Sequence, residues 1–126
     1  MSRARARFVC GCIMNAASNI LEVKDVMVKF GGIVALDSVS FDVPRGAIVG
    51  LIGPNGAGKT TLFNCLSRLY VPNSGEINID GTSILSSPAH QMANLRIGRT
   101  FQNLALFSRL TVLDNVKVGA HIHRNR

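Results

Sequence analysis

The sequence predicts an α/β fold in which an antiparallel sheet on the N-terminal side leads into the start of a parallel core sheet. Three observations predict it. Ala47–Ile52 (Ala-Ile-Val-Gly-Leu-Ile) is a short, nearly all-apolar run, as expected of a strand buried on both faces. Leu62, Cys65, Leu66 and Leu69 recur at i, i+3, i+4 and i+7, one stripe of an amphipathic helix. Between them lies Gly53-Pro-Asn-Gly56-Ala-Gly58-Lys59-Thr60-Thr61, the G-x-x-x-x-G-K-[ST] pattern of a phosphate-binding loop.

At 126 residues the chain holds one small domain or part of one, and no run of eighteen apolar residues is present to span a bilayer. Its net charge of +7 is concentrated at the ends, with Arg3, Arg5 and Arg7 at one and Arg124 and Arg126 at the other. The middle is nearly balanced and has no basic stripe interleaved with aromatics, so a nucleic-acid partner is not expected. Cys10, Cys12 and Cys65 form neither a paired metal spacing nor an even disulfide set, which fits a reduced cytosolic protein.

Residues 1–19 differ in composition from the rest of the chain: three arginines and no acidic residue precede Phe8-Val-Cys-Gly-Cys-Ile-Met14. The segment is read as outside the domain proper, either a start placed too early with Met14 the initiator, a disordered extension, or a short organellar transit peptide. The orderly pattern begins at Ile20. Leu21 and Val23, then Val26, Val28 and Phe30, alternate with polar residues as in a half-buried strand. Gly31-Gly32 makes a turn, and Ile33–Leu36 runs on into Val39, Phe41 and Val43, a second alternating strand. Pro44-Arg45-Gly46 turns the chain into the apolar strand and the loop.

The loop's chemistry stems from its residue types. Backbone N–H groups left unpaired at a helix N-terminus neutralise phosphate charge, and Gly56 and Gly58, lacking Cβ, let the backbone curl around the anion. Lys59 would reach the β- and γ-phosphates, the Thr60 hydroxyl would ligate Mg²⁺, and Thr61 would donate to the α-phosphate. Asn55 and Ala57 complete the cradle. Beyond the helix, Pro72-Asn-Ser-Gly75 breaks the chain and Glu76–Ile79 is a short strand turned by Asp80-Gly81. Ser87-Pro88 predicts a helix over Pro88–Leu95 with Ser87 as N-cap. Arg99–Phe101 is expected to be a strand ending at Gln102, and Thr111-Val-Leu-Asp114 a capping box, with Asp in place of Glu, opening a helix toward His121.

The order strand, Gly53–Thr61, then Arg99-Thr-Phe-Gln102 resembles the first half of an ABC-type ATPase domain from about Ile20 to His121. Phe30-Gly-Gly, Leu62-Phe-Asn-Cys-Leu66, Arg99-Thr-Phe-Gln-Asn103 and Leu106-Phe-Ser-Arg-Leu-Thr-Val112 resemble the ATP-binding subunit of branched-chain amino-acid importers. The resemblance implies the N-terminal part of the P-loop NTPase fold, with ATP and Mg²⁺ as cofactors. It places Phe30 where an aromatic stacks on adenine and Gln102 where a glutamine approaches Mg²⁺ and the attacking water. The apolar run Leu104, Leu106, Phe107 and Leu110 would border the groove for a membrane subunit or be ordinary core. The implied partners are transmembrane permease subunits and a second ATP-binding subunit, and the implied location is cytoplasmic, on the inner face of the cell membrane.

The family pattern also requires a Ser-Gly-Gly-Gln signature and an apolar strand ending in Asp-Glu, with a His beyond that strand; neither the signature nor the strand occurs after Gln102. Ile77-Asn-Ile-Asp80 is broken by Asn and followed by Gly, so it is not that strand. Residues 20–126 therefore read as a truncated nucleotide-binding domain, with Ile48, Val49, Leu51 and Ile52 short of cover. Three functions stay open at this point: part of an amino-acid importer's ATPase subunit, an ABC ATPase in another role, or a non-catalytic nucleotide-binding module.

Overall fold

A computed structural model describes residues 7–9, 18–100 and 106–120. The main sheet has the order β3-β2-β5-β6, with β2 spanning Asn19–Phe30, β3 Ile33–Pro44, β5 Ser74–Ile79 and β6 Thr82–Ser83. Every pairing in it is antiparallel. The first two strands are the expected alternating pair, joined at Gly31-Gly32. Asp80 and Gly81, both with positive φ, form the two-residue turn between β5 and β6.

The break in alternation between Val23 and Val26 is a β-bulge. Asp25 takes a left-handed conformation (φ 48°), which returns Val26 and Val28 to the face that buries Val23. The Asp25 N–H donates to Ser40 Oγ (2.8 Å), and the Ser40 hydroxyl donates to Asp25 Oδ1 (3.3 Å). On the other side Gly75 (φ +96°) lies flat on the bulge, where an added Cβ would sit 2.5 Å from the Asp25 carbonyl oxygen. The bulge is thus held from both neighbouring strands.

Helix α1 (Lys59–Leu66) packs on this face. Leu62 and Cys65 join Val23, Val26, Val28, Leu36, Ile77, Ile84 and Met92 in one buried cluster, and burial pushes the Cys65 thiol pKa up. The helix is shorter than its predicted stripe: Leu66 is half-buried, and Leu69 lies beyond the C-terminus and exposed. Helix α2 (Val112–Gly119) is capped by Thr111, whose Oγ1 accepts from the Asp114 N–H (3.1 Å). The Thr111 hydroxyl in turn donates to Asp114 Oδ2 (2.7 Å). That is the expected box, except that the shorter Asp reaches the cap's hydroxyl.

Several expectations change. Of the predicted strand Ala47–Ile52, only Gly50–Ile52 (β4) is paired, antiparallel to Arg7–Val9 (β1), three residues of the segment set apart as foreign. No parallel pairing occurs among the described residues. Ile48 is 97% exposed and Ile52 65%, so this apolar strand does lack cover. The helix over Pro88–Leu95 contracts to a 3₁₀ turn, Ala89–Gln91, because no side chain caps it and the chain reverses at Arg96 (φ 60°). One turn gains too few hydrogen bonds to propagate. Arg99 and Thr100 are not in a strand; Phe101 and Gln102 lie outside the described residues.

Candidate functional site

The site is built where β4 hands over to α1. Inside the loop the Ala57 N–H donates to the Pro54 carbonyl (3.2 Å), tightening the turn, and Gly56 (φ +83°) and Gly58 (φ +84°) are both left-handed. Gly58 is the N-cap of α1. It offers no side chain to the first-turn N–H groups, and no acidic residue lies in that turn. Those amides have no intrahelical acceptor and, with the helix dipole, favour an anion at the mouth of the loop.

Lys59 folds back across that mouth. Its Nζ donates to the carbonyl oxygens of Gly53 and Pro54, both at 2.6 Å. The ammonium is therefore held by carbonyls from the start of the loop. Thr60 and Asn55 are exposed, and Ala57 and Thr61 half-buried. Of the predicted loop residues, Asn55 to Gly58 thus form the turn and Lys59 to Thr61 begin helix α1. Gly53 opens the turn, where an added Cβ would meet the Ala57 Cβ at 3.3 Å.

The β2–β3 hairpin backs the loop. A Cβ on Gly58 would lie 2.5 Å from the Ala35 carbonyl oxygen and 2.7 Å from Leu36 Cδ2. Leu36 pairs with Val28, so Phe30 lies two residues, roughly 7 Å, further along the same strand. Phe30 is 46% exposed, and its ring meets Tyr70 edge-on, with centroids 5.3 Å apart and planes at 71°. Tyr70 carried no sequence signal, because nothing in local spacing links positions forty residues apart. Arg99 was likewise unassigned by itself; its guanidinium donates to Asn64 Oδ1 (2.7 Å) and reaches Ser67 Oγ (3.4 Å), both on the far half of α1 or just beyond it. The chain leading to Gln102 is thereby tied to the helix that begins at the loop.

No cluster of three His, Cys, Asp or Glu side chains suited to a metal occurs among the described residues. The exposed Thr60 hydroxyl at the start of α1 is an oxygen donor of the kind Mg²⁺ takes, so the residues present fit a divalent cation that arrives with phosphate oxygens. A triphosphate likewise fits the cradle of amides, glycines and ammonium. No helix among the described residues is long and apolar enough to cross a membrane.

Comparisons with known proteins agree with this geometry. A family model described as "ABC transporter" matches residues 36–126. The high-affinity branched-chain amino acid transport ATP-binding protein BraF of Pseudomonas aeruginosa is 45% identical over 106 residues, which is 84% of this chain and 42% of BraF. The methionine import ATP-binding protein MetN of Rhizobium etli is 45% identical over 109 residues, 85% of this chain and 30% of MetN. Among solved structures, MJ1267, an ATP-binding cassette of an ABC transporter, superposes with a TM-score of 0.74 at 32% identity, covering 82% of this chain and 41% of that one. The chain thus spans about two fifths of the length of BraF.

Proposed function

Because the chain belongs to the ABC transporter family, we propose that it forms the nucleotide-binding part of an importer's ATP-binding subunit. The observation that carries this reading is the Gly53–Thr61 loop, with its free helix amides and the Lys59 ammonium. Bound Mg-ATP supplies the transferable phosphoryl group. The chain's own residues bind and orient it. Lys59 leaves two carbonyls for the β- and γ-phosphates, the first-turn amides hold the phosphate oxygens, Thr60 ligates Mg²⁺, and Phe30 stacks on the base. Gln102 is proposed to orient water beside the metal.

In this reading the subunit sits on the cytoplasmic face of the cell membrane, pairs with a second ATP-binding subunit, and drives transmembrane permease subunits. Two relatives are named for amino-acid transport, which supports an amino-acid importer. The motifs around Phe30, Leu62–Leu66 and Leu106–Val112 favour branched-chain substrates over methionine. Uptake of labelled leucine and of labelled methionine, compared before and after disruption of this gene, separates the two. Loss of leucine uptake alone is expected; loss of methionine uptake alone reassigns the substrate.

Nucleotide binding is tested by calorimetry with Mg-ATP on the wild type and Lys59→Ala. The substitution removes a charge-assisted contact of about 1.5–3 kcal/mol, so affinity is expected to fall by roughly ten- to a hundredfold. Equal affinities would remove Lys59 from the site.

A further inference from the structure

We propose that Tyr70 is a positioning residue that holds the Phe30 ring for a nucleotide base. The inference rests on the assignment of Phe30 as the base-stacking residue.

Phe30 ends its strand beside Gly31, which turns with φ +55°. Its partner across the hairpin, Ile33, is 73% exposed and gives the ring little to pack on. Tyr70 supplies the missing contact. In a perpendicular pair at least one face of the Phe30 ring stays clear of its partner, which leaves room for a stacked base.

Tyr70 is itself anchored to α1. Its N–H and that of Leu69 both donate to the Asn64 carbonyl, at 3.1 and 2.9 Å, after a left-handed reversal at Arg68 (φ 58°). The same segment also fastens the end of β2. The Lys29 N–H donates to Asn73 Oδ1 (2.7 Å), and the Asn73 N–H donates to the Met27 carbonyl (2.8 Å). Residues 70–73 thus hold the backbone and ring at Phe30 on one side and the last turn of α1 on the other. The first turn of that helix carries Lys59, Thr60 and Thr61. A held ring adds a contact only for a ligand that carries a base, so the chemical class favoured is a nucleoside triphosphate over bare inorganic triphosphate.

The test measures binding of Mg-ATP and of Mg-tripolyphosphate to the full chain as wild type, Phe30→Ala, Tyr70→Leu and Tyr70→Phe. The readout is the ratio of the two affinities. Tyr70→Leu is expected to lower the ratio roughly three- to tenfold, the scale of one aromatic pair, leaving tripolyphosphate affinity unchanged. Tyr70→Phe should keep the wild-type ratio. The chain has one tyrosine and no tryptophan, so wild-type emission reports on Tyr70 alone. That emission, corrected for nucleotide absorption, should change with Mg-ATP and stay constant with Mg-tripolyphosphate.

An unchanged ratio in Phe30→Ala would overturn the base-stacking assignment and the inference with it. A lowered ratio in Phe30→Ala alongside an unchanged one in Tyr70→Leu would overturn only the role of Tyr70. Equal loss of both ligands in Tyr70→Leu would show a merely structural residue and overturn it as well. Should Tyr70→Leu not fold, wild-type emission indifferent to Mg-ATP decides against the proposal.

Discussion

Gly56 and Gly58 have nearly the same φ, +83° and +84°, but different surroundings. A Cβ at Gly56 meets nothing within 4 Å, whereas one at Gly58 runs into the Ala35 carbonyl and the Leu36 side chain. Gly56→Ala is therefore expected to cost only left-handed strain, about 1 kcal/mol, and Gly58→Ala that plus a backbone clash, about 3 kcal/mol or more. Urea denaturation of the two variants ranks them; equal midpoints would mean that the hairpin does not press on the loop. The loop's composition was readable from the sequence because the pattern is local. The unequal roles of its two glycines were not, since they depend on a strand more than twenty positions away.

Among elements, the bulged hairpin shows how much a pattern conveys. The switch in alternation between Val23 and Val26 was visible in the residues, and the strands lie where it put them. The devices that hold the bulge, Ser40 from one side and Gly75 from the other, had no local signature. Ser40→Ala removes the acceptor for the Asp25 N–H at an exposed position and is expected to cost about 1 kcal/mol. Gly75→Ala adds a Cβ 2.5 Å from one carbonyl oxygen and 2.6 Å from another at positive φ, and is expected to cost about 3 kcal/mol or more. Thermal melts compare them, and a Gly75→Ala variant as stable as the wild type would remove the keystone role. The stretch over Pro88–Leu95 misled in the opposite sense: Ser-Pro is a good start signal, but an N-terminus alone does not lengthen a helix that buries only Met92.

Across the whole molecule, burial is one-sided. The cluster around Val23, Val26 and Ile77 is closed, while Ile48, Ile52, Leu106, Phe107, Val112, Leu113 and Val116 are exposed. Exposed apolar side chains of this number predict that the isolated chain binds an apolar fluorescent dye. Amide protection across β4 should be low compared with β2, read by hydrogen exchange. A monomer that unfolds sharply and binds no dye would contradict this. ATP turnover by the isolated chain is expected near background. Asp114, the one acid after Gln102, is engaged by Thr111 as a helix cap, and positioned base catalysis typically contributes about 10²–10⁴-fold. Phosphate release abolished by Lys59→Ala yet well above background in the wild type would show a base elsewhere.

The two carbonyls that accept from Lys59 give its ammonium partners within the loop itself. In the proposed reading, nucleotide arrival would be an exchange of partners at Lys59, phosphate oxygen for carbonyl oxygen. The carbonyls of Gly53 and Pro54 carry no net charge, so the long-range pull of the ammonium, and with it the sensitivity of the association rate to ionic strength, is kept, and only the short-range step becomes an exchange.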